Sequence, residues 1–125
     1  MIDHLGFGVS DYERSKAFYT EALKPLGMEL LMEPVATAGG FGLPADQKPF
    51  FWIAARGGPV VAGAHVAFAA PNTEVVDVFH DAALAAGGQD NGGPGKREIY
   101  HPNYYGAYVL DPDGNNVEAV CHTAP

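Results

Sequence analysis

The chain carries its own pattern twice, and that limits what it can fold into more than any other feature. His4-Leu5-Gly6-Phe7-Gly8 and His65-Val66-Ala67-Phe68-Ala69 both read histidine, aliphatic, small, phenylalanine, small, 61 positions apart. The register continues without a gap: Phe18 falls on Phe79, Ala22 on Ala83, Leu23 on Leu84 and Gly27 on Gly88. Agreement kept over about two dozen residues marks a duplicated module. A module of roughly 60 residues buries too little surface to be secure alone. The two copies must therefore pack together, in one chain or between two. With 125 residues, 47% of them apolar, the chain makes one domain over 1–125. Module one covers about 1–56 and module two about 63–122, joined by Arg56-Gly57-Gly58-Pro59.

Each copy opens on a period-two segment. Leu5, Phe7 and Val9 alternate with His4, Gly6 and Gly8; Val66 and Phe68 alternate with His65, Ala67 and Ala69. Strand side chains point to opposite faces in turn. One face is thus bulky and apolar, and the other carries a histidine beside very small residues that leave a concave space. Ser10-Asp11-Tyr12-Glu13 has the form of a capping box, and Phe18, Ala22 and Leu26 follow at helical spacing. Asn72 is the expected N-cap of a second helix with Val75, Phe79, Ala83 and Ala86 on its buried face. Extended segments are expected at 28–33, 39–43 and 50–55, then, after an irregular stretch over 89–98, at 104–110 and 116–122. Asp111-Pro112-Asp113-Gly114 makes the turn between the last two. The expected fold is α+β: paired βαβββ modules whose curled mixed sheets form a cup.

Charge and composition remove several function classes. Seven basic against fifteen acidic residues give a net charge of −8, which repels phosphate backbones and argues against nucleic-acid binding. No apolar run is long enough to span a bilayer, and the strand-like start at His4 leaves no room for a signal peptide. The single cysteine, Cys121, offers neither a disulfide framework nor a cysteine zinc site and reads as a small buried apolar residue. These features point to a cytoplasmic protein without membrane or nucleic-acid partners.

Three residues carry the chemistry. His4 and His65 hold equivalent places on the two opening strands. Glu118 lies on the last strand, on the face opposite Val117 and Ala119. A carboxylate inside a strand is costly to bury unless paired, hydrogen-bonded or ligating. Two histidines and one carboxylate from separate strands suit a divalent metal with open positions for water and substrate: Fe, or Mn, Co, Ni or Zn.

The chain resembles the vicinal oxygen chelate superfamily, which includes glyoxalase I, extradiol dioxygenases, fosfomycin-resistance transferases and bleomycin-resistance proteins. The resemblance spans nearly the whole chain. It rests on His4-Leu-Gly-Phe-Gly-Val with Asp11, on Ser15 with Phe18-Tyr19 and Leu26-Gly27, on His65-Val-Ala-Phe, and on Asp111-Pro-Asp-Gly-Asn-Asn-Val-Glu118. It implies paired βαβββ modules around a metal, with His4, His65 and Glu118 at the three common ligand positions. Glyoxalase I has a fourth ligand on the last strand of module one. Here that strand offers Phe50, Phe51, Trp52 and Ile53, and no Asp or Glu occurs between Asp46 and Glu74. The three-ligand pattern is closer to the dioxygenase and fosfomycin-resistance branches. His101 and Tyr108 resemble the histidine and tyrosine that precede the ligating glutamate in extradiol dioxygenases. They are candidates for proton transfer and oxyanion stabilisation.

Trp52, Tyr104, Tyr105 and Arg97 are candidate pocket residues, Trp52 where the fourth ligand would stand and Arg97 in a glycine-rich loop able to meet an anion. His80, in the place of Tyr19 of the first copy, is expected to be exposed, and His122 shares a face with Glu118. The expected function is metal-dependent catalysis on a small molecule through chelation of neighbouring oxygens. The alternative is a binding protein that sequesters a small molecule without a metal. A homodimer is expected, because curled sheets leave edges to cover. The sequence leaves open whether His4 meets His65 of its own chain or of a second copy.

Overall fold

The computed structural model describes residues 1–124. Module one runs β1 (Leu5–Gly8), α1 (Tyr12–Ala22), β2 (Glu29–Val35), β3 (Ala38–Gly42) and β4 (Phe51–Ala54). Module two runs β5 (His65–Ala69), α2 (Thr73–Ala85), two short strands β6 (Gln89–Asp90) and β7 (Gly95–Lys96), then β8 (Tyr105–Leu110) and β9 (Asn116–Cys121). The duplication holds at the level of topology. The first sheet is ordered β1-β4-β3-β2 and the second β5-β9-β8-β6, with β7 also on β8. In both, the opening strand pairs parallel with the last, and the other pairings are antiparallel. The fold is α+β with two mixed sheets, neither closed. No helix among the described residues is long and apolar enough to cross a membrane.

Local chemistry sets the helix ends. Asp11, not Ser10, caps α1, its carboxylate accepting from the Arg14 amide. Ser10 instead donates its hydroxyl and amide to Asp113 of the turn before β9. Asn72 caps α2 through the Val75 amide, as its position predicts. Gly27 and Gly87 adopt left-handed φ of 78° and 103° just past the helical segments, where a side chain is strained. Helix α2 buries Phe79 and Ala83 as expected, together with Val76 and His80, while Val75 and Ala86 are half-buried. His80 is therefore inside rather than exposed. Its Nε2 meets Asp90 Oδ1 at 3.0 Å, tying the helix to β6.

One core joins the modules. Phe51 of β4 meets Phe68 of β5 edge-on at 5.2 Å, and Tyr19 of α1 meets Phe51 at 4.9 Å. Tyr19 is fully buried, and its hydroxyl donates at 2.5 Å to Asp111 Oδ2 of module two. Asp111 also accepts from the amides of Asp113 and Asn115 and from the Asn115 side chain, which fixes the turn into β9. Cys121 lies in this core as a free thiol. Gly88 marks a tight junction between the two helices and β8. A Cβ there would meet Ala83 O and Phe18 Cε1, each at 2.8 Å, and collide with Val109.

On the helix side of β8, the Tyr105 hydroxyl donates to Asp77 Oδ1 of α2 at 2.7 Å. That bond, with partial burial, pushes the Tyr105 phenol up to about 12. The folded chain thus holds this proton more tightly than the unfolded one. The bond contributes fully below pH ~10, the ordinary phenol value, and is lost as pH rises through about 12. Urea midpoints measured across that window should fall more for wild type than for Tyr105→Phe. Equal slopes would show that the phenol does not titrate there. Gly88→Ala should lower stability by ~1–3 kcal/mol through overpacking, read as a lower urea midpoint at unchanged m-value.

Candidate active site

The strand register places the carboxylate. Glu118 lies opposite Ala67 of β5 on one side and Tyr108 of β8 on the other, in the middle of the second sheet. Its neighbours Val117 and Ala119 point into the core, so alternation turns Glu118 to the opposite face, where it is only 2% exposed. Its Oε1 faces His65 Nε2 at 3.2 Å, and its Oε2 accepts from the Tyr104 hydroxyl. Gly106 makes room for that contact, because a Cβ there would sit 2.9 Å from Oε2 and 3.2 Å from the Tyr104 ring. Burial and the bond to Glu118 hold the Tyr104 phenol far above its ordinary range, and burial first among several causes raises Tyr108 as well. Both remain O–H donors at neutral pH.

His65 has two acceptors. Its Nδ1 lies 3.0 Å from the Asn116 carbonyl, which can only accept, so Nδ1 carries a proton. Its Nε2 then confronts a carboxylate. The arrangement is satisfied when Nε2 is also protonated or when a cation takes the place of that proton. A ring fixed through Nδ1 to a backbone carbonyl, with Nε2 toward a carboxylate, is the disposition of a metal-ligating imidazole and its supports. His65 and Glu118 thus fit two positions of a divalent metal. They line a cavity of about 480 Å³ with Tyr104, Tyr108, His101 and His122.

His4 stands elsewhere. Its Nδ1 donates to Asp3 Oδ1 at 2.7 Å, which leaves Nε2 outward. Lys48 also binds Asp3, and the His4 and Lys48 bonds together hold that carboxyl below the usual carboxylate range. His4 lines a separate cavity of about 380 Å³ with Gly6, Gly8, Trp52, Ala54 and Arg56, which shares no residue with the first. Among the described residues, no three His, Cys, Asp or Glu side chains come together as a metal-binding group. The expected triad is therefore not assembled within one chain: His65 and Glu118 meet, and His4 lies apart. The reason is topological, since β1 and β5 belong to different sheets.

The registers make the two half-pockets comparable position by position. Gly6 opposes Trp52 as Ala67 opposes Glu118, and Gly8 opposes Ala54 as Ala69 opposes Val120. Trp52 thus occupies the module-one counterpart of Glu118. Four residues further on, Arg56 is the counterpart of His122. Sequence reading missed Arg56, although the alternation Trp52, Ala54, Arg56 was the signal for it.

The other candidates divide by face. Tyr104 and Tyr108 lie on the Glu118 face, with Tyr104 bonded to the carboxylate rather than merely lining the wall. His101 joins them. Its Nδ1 accepts from the Asn103 amide, so its proton sits on Nε2, 2.5 Å from Nδ1 of the stacked His122. Tyr105 is not a pocket residue, since alternation turns it to α2 and Asp77. Arg97 packs over the Tyr108 ring at 5.4 Å and donates to the Gly93 carbonyl, bracing the tyrosine from outside the cavity.

Comparison with known proteins agrees with this architecture. The family model described as Glyoxalase/Bleomycin resistance protein/Dioxygenase superfamily matches residues 1–119. A glyoxalase/bleomycin resistance protein from Albidiferax ferrireducens T118 is 33% identical and superposes with a TM-score of 0.82, covering 97% of this chain and 98% of that one. At 19% identity the fold is shared with a glyoxalase/bleomycin resistance protein/dioxygenase family enzyme from Burkholderia phytofirmans PsJN, with a TM-score of 0.72 over 96% and 97% of the two chains. It is also shared with a lactoylglutathione lyase from Agrobacterium tumefaciens, with 19% identity and a TM-score of 0.70 over 97% and 92%. No curated protein matches the chain. A duplicated βαβββ frame, one buried strand-borne glutamate beside a histidine, and a family match over almost the full length lead to one conclusion: the chain belongs to the glyoxalase/bleomycin resistance protein/dioxygenase superfamily.

Proposed function

We propose that the chain is a divalent-metal-dependent enzyme acting on a small molecule through two neighbouring substrate oxygens. We further propose that its metal centre is built by a homodimer, His65 and Glu118 from one chain and His4 from the other. The observation that carries this reading is the division of the ligands. His65 and Glu118 converge in one half-pocket, and His4 stands in the other with Nε2 free. Two-fold pairing of copies would set each half-pocket against its complement and give two equivalent sites. Two nitrogens and one oxygen suit Fe, Mn, Co, Ni or Zn.

A bound divalent cation would polarise the substrate oxygens and stabilise negative charge developing on them. The chain's own residues do the rest. Tyr104 engages Oε2 of Glu118 and leaves Oε1 as the outward donor beside His65. Tyr108 keeps its proton and can donate to a substrate oxygen as charge grows there. With His101 Nε2 donating to His122 Nδ1, the pair keeps the His122 Nε2–H as a hydrogen-bond donor for a substrate group in the same cavity. Isomerisation, oxygen insertion and nucleophilic epoxide opening are the reaction types open to such a site.

Metal analysis of protein prepared without chelator or affinity metal resin should find one divalent ion per chain, and light scattering should give the dimer mass. His4→Ala, His65→Ala and Glu118→Gln should each weaken metal binding by more than the ~10–100-fold that losing a supporting residue costs. Unfolding in chelator should stay close to wild type, because the core face is untouched. Mixing His4→Ala with Glu118→Ala chains should restore one intact site per mixed dimer. A monomer mass, or wild-type metal content in all three single variants, would overturn the reading. Tyr104→Phe should lower metal affinity ~10-fold or more while the fold persists.

A further inference from the structure

The module-one half-pocket holds a guanidinium, an indole and an open floor, and none of these is explained by metal binding. Arg56 lines this cavity, is exposed, and forms no ion pair among the described residues. Its guanidinium is thus available to an anion entering the cavity. No carboxylate lines the cavity; its only ionisable side chains are Arg56 and His4. Asp3, the nearest acid in sequence, is engaged by His4 and Lys48.

Trp52 is held in place. A Cβ on Gly40 would stand 2.8 Å from its ring, so glycine there is required by the indole's close approach, while Gly6 packs against the Trp52 backbone and Cβ. Gly8 is different. A Cβ there would meet nothing within 4 Å, and its φ is not left-handed. Neither packing nor backbone conformation asks for glycine at position 8. What its small size provides is free space in the cavity that Trp52 and Arg56 also line. Gly6, Gly8, Ala38 and Ala54 line the cavity with nothing larger than a methyl group. An indole beside small residues can stack on a planar ring, and a guanidinium pairs with a carboxylate through two parallel hydrogen bonds.

We infer that this half-pocket binds a planar organic carboxylate, aryl or enol, with Arg56 on the carboxylate, Trp52 against the ring and Gly8 providing the space between. That this ligand is the substrate rests on the proposed function. Its oxygens distal to the carboxylate would then lie toward His4, at the other end of the β1 floor. Where module two has Glu118 and His122, module one has Trp52 and Arg56. The duplicated frame would thus supply two of the three metal ligands from one half, and select the substrate with the other half beside His4.

Trp52 is the only tryptophan, so its emission reports this cavity alone. The probes are 4-nitrobenzoate and its uncharged isostere 4-nitrobenzamide, titrated against dimer stripped of metal by chelator, with N-acetyltryptophanamide as the optical control. The acid should quench Trp52 saturably and bind at least ~10-fold more tightly than the amide, the difference a carboxylate–arginine pair supplies. Arg56→Gln should abolish that discrimination and leave amide binding unchanged, with Arg56→Lys intermediate. Gly8→Leu should abolish binding of both probes at unchanged thermal stability. Equal affinities for acid and amide, or discrimination that survives in Arg56→Gln, would overturn the inference. Because the titration is done without metal, normal metal uptake with no discrimination sinks this inference alone. Discrimination in a protein that takes up no metal sinks the proposed metal centre alone.

Discussion

A carboxylate only 2% exposed in the middle of a central strand is the constraint around which the second module is arranged. A carboxyl group so placed is costly to bury unless it is hydrogen-bonded or paired. Every neighbour contributes to that. Gly106 gives up its side chain so that Tyr104 can reach Oε2, and Asn116 orients His65 so that Nε2 faces Oε1. The turn that delivers β9 in register is pinned by Asp111, which accepts four hydrogen bonds, one of them from Tyr19 of the other module. The placement of Glu118 thus depends on the packing of the whole chain.

Duplication supplied the frame, and divergence at equivalent positions supplied the chemistry. The two sheets share strand order and register closely enough to match Glu118 with Trp52 and His122 with Arg56. The helices show the same pattern. Tyr19 and His80 hold equivalent places; one binds Asp111 across the module boundary and the other binds Asp90 within its own module. In each case the backbone position is conserved between copies while the polar partner differs. One scaffold can therefore present a carboxyl and imidazole face in one copy and an aromatic, cationic face in the other.

Much of this was readable from residues alone because it is local and periodic. The 61-residue offset predicted paired modules, and period-two alternation placed His65 and Glu118 on the face away from Val66 and Val117. Asn72 and the Asp-Pro-Asp-Gly turn signalled their own roles, since capping and turn formation involve residues a few positions apart. The misreadings were also local in origin. Ser10 was expected to cap α1, but a contact 103 residues away claims its hydroxyl and leaves the cap to Asp11. His80 was expected at the surface, but Asp90 compensates its burial.

Faces follow from the sequence; meetings do not. Alternation says that Tyr104 and Tyr108 share a side while Tyr105 takes the other, but only the sheet register and Gly106 decide that Tyr104 grips Glu118. Likewise, sequence alone determined that His4 and His65 stand on strand faces beside small residues and that Glu118 faces away from Val117 and Ala119. That two of them converge and the third faces a different cavity was decided by which strands join which sheet, because hydrogen-bonded pairing between distant segments has no local signature.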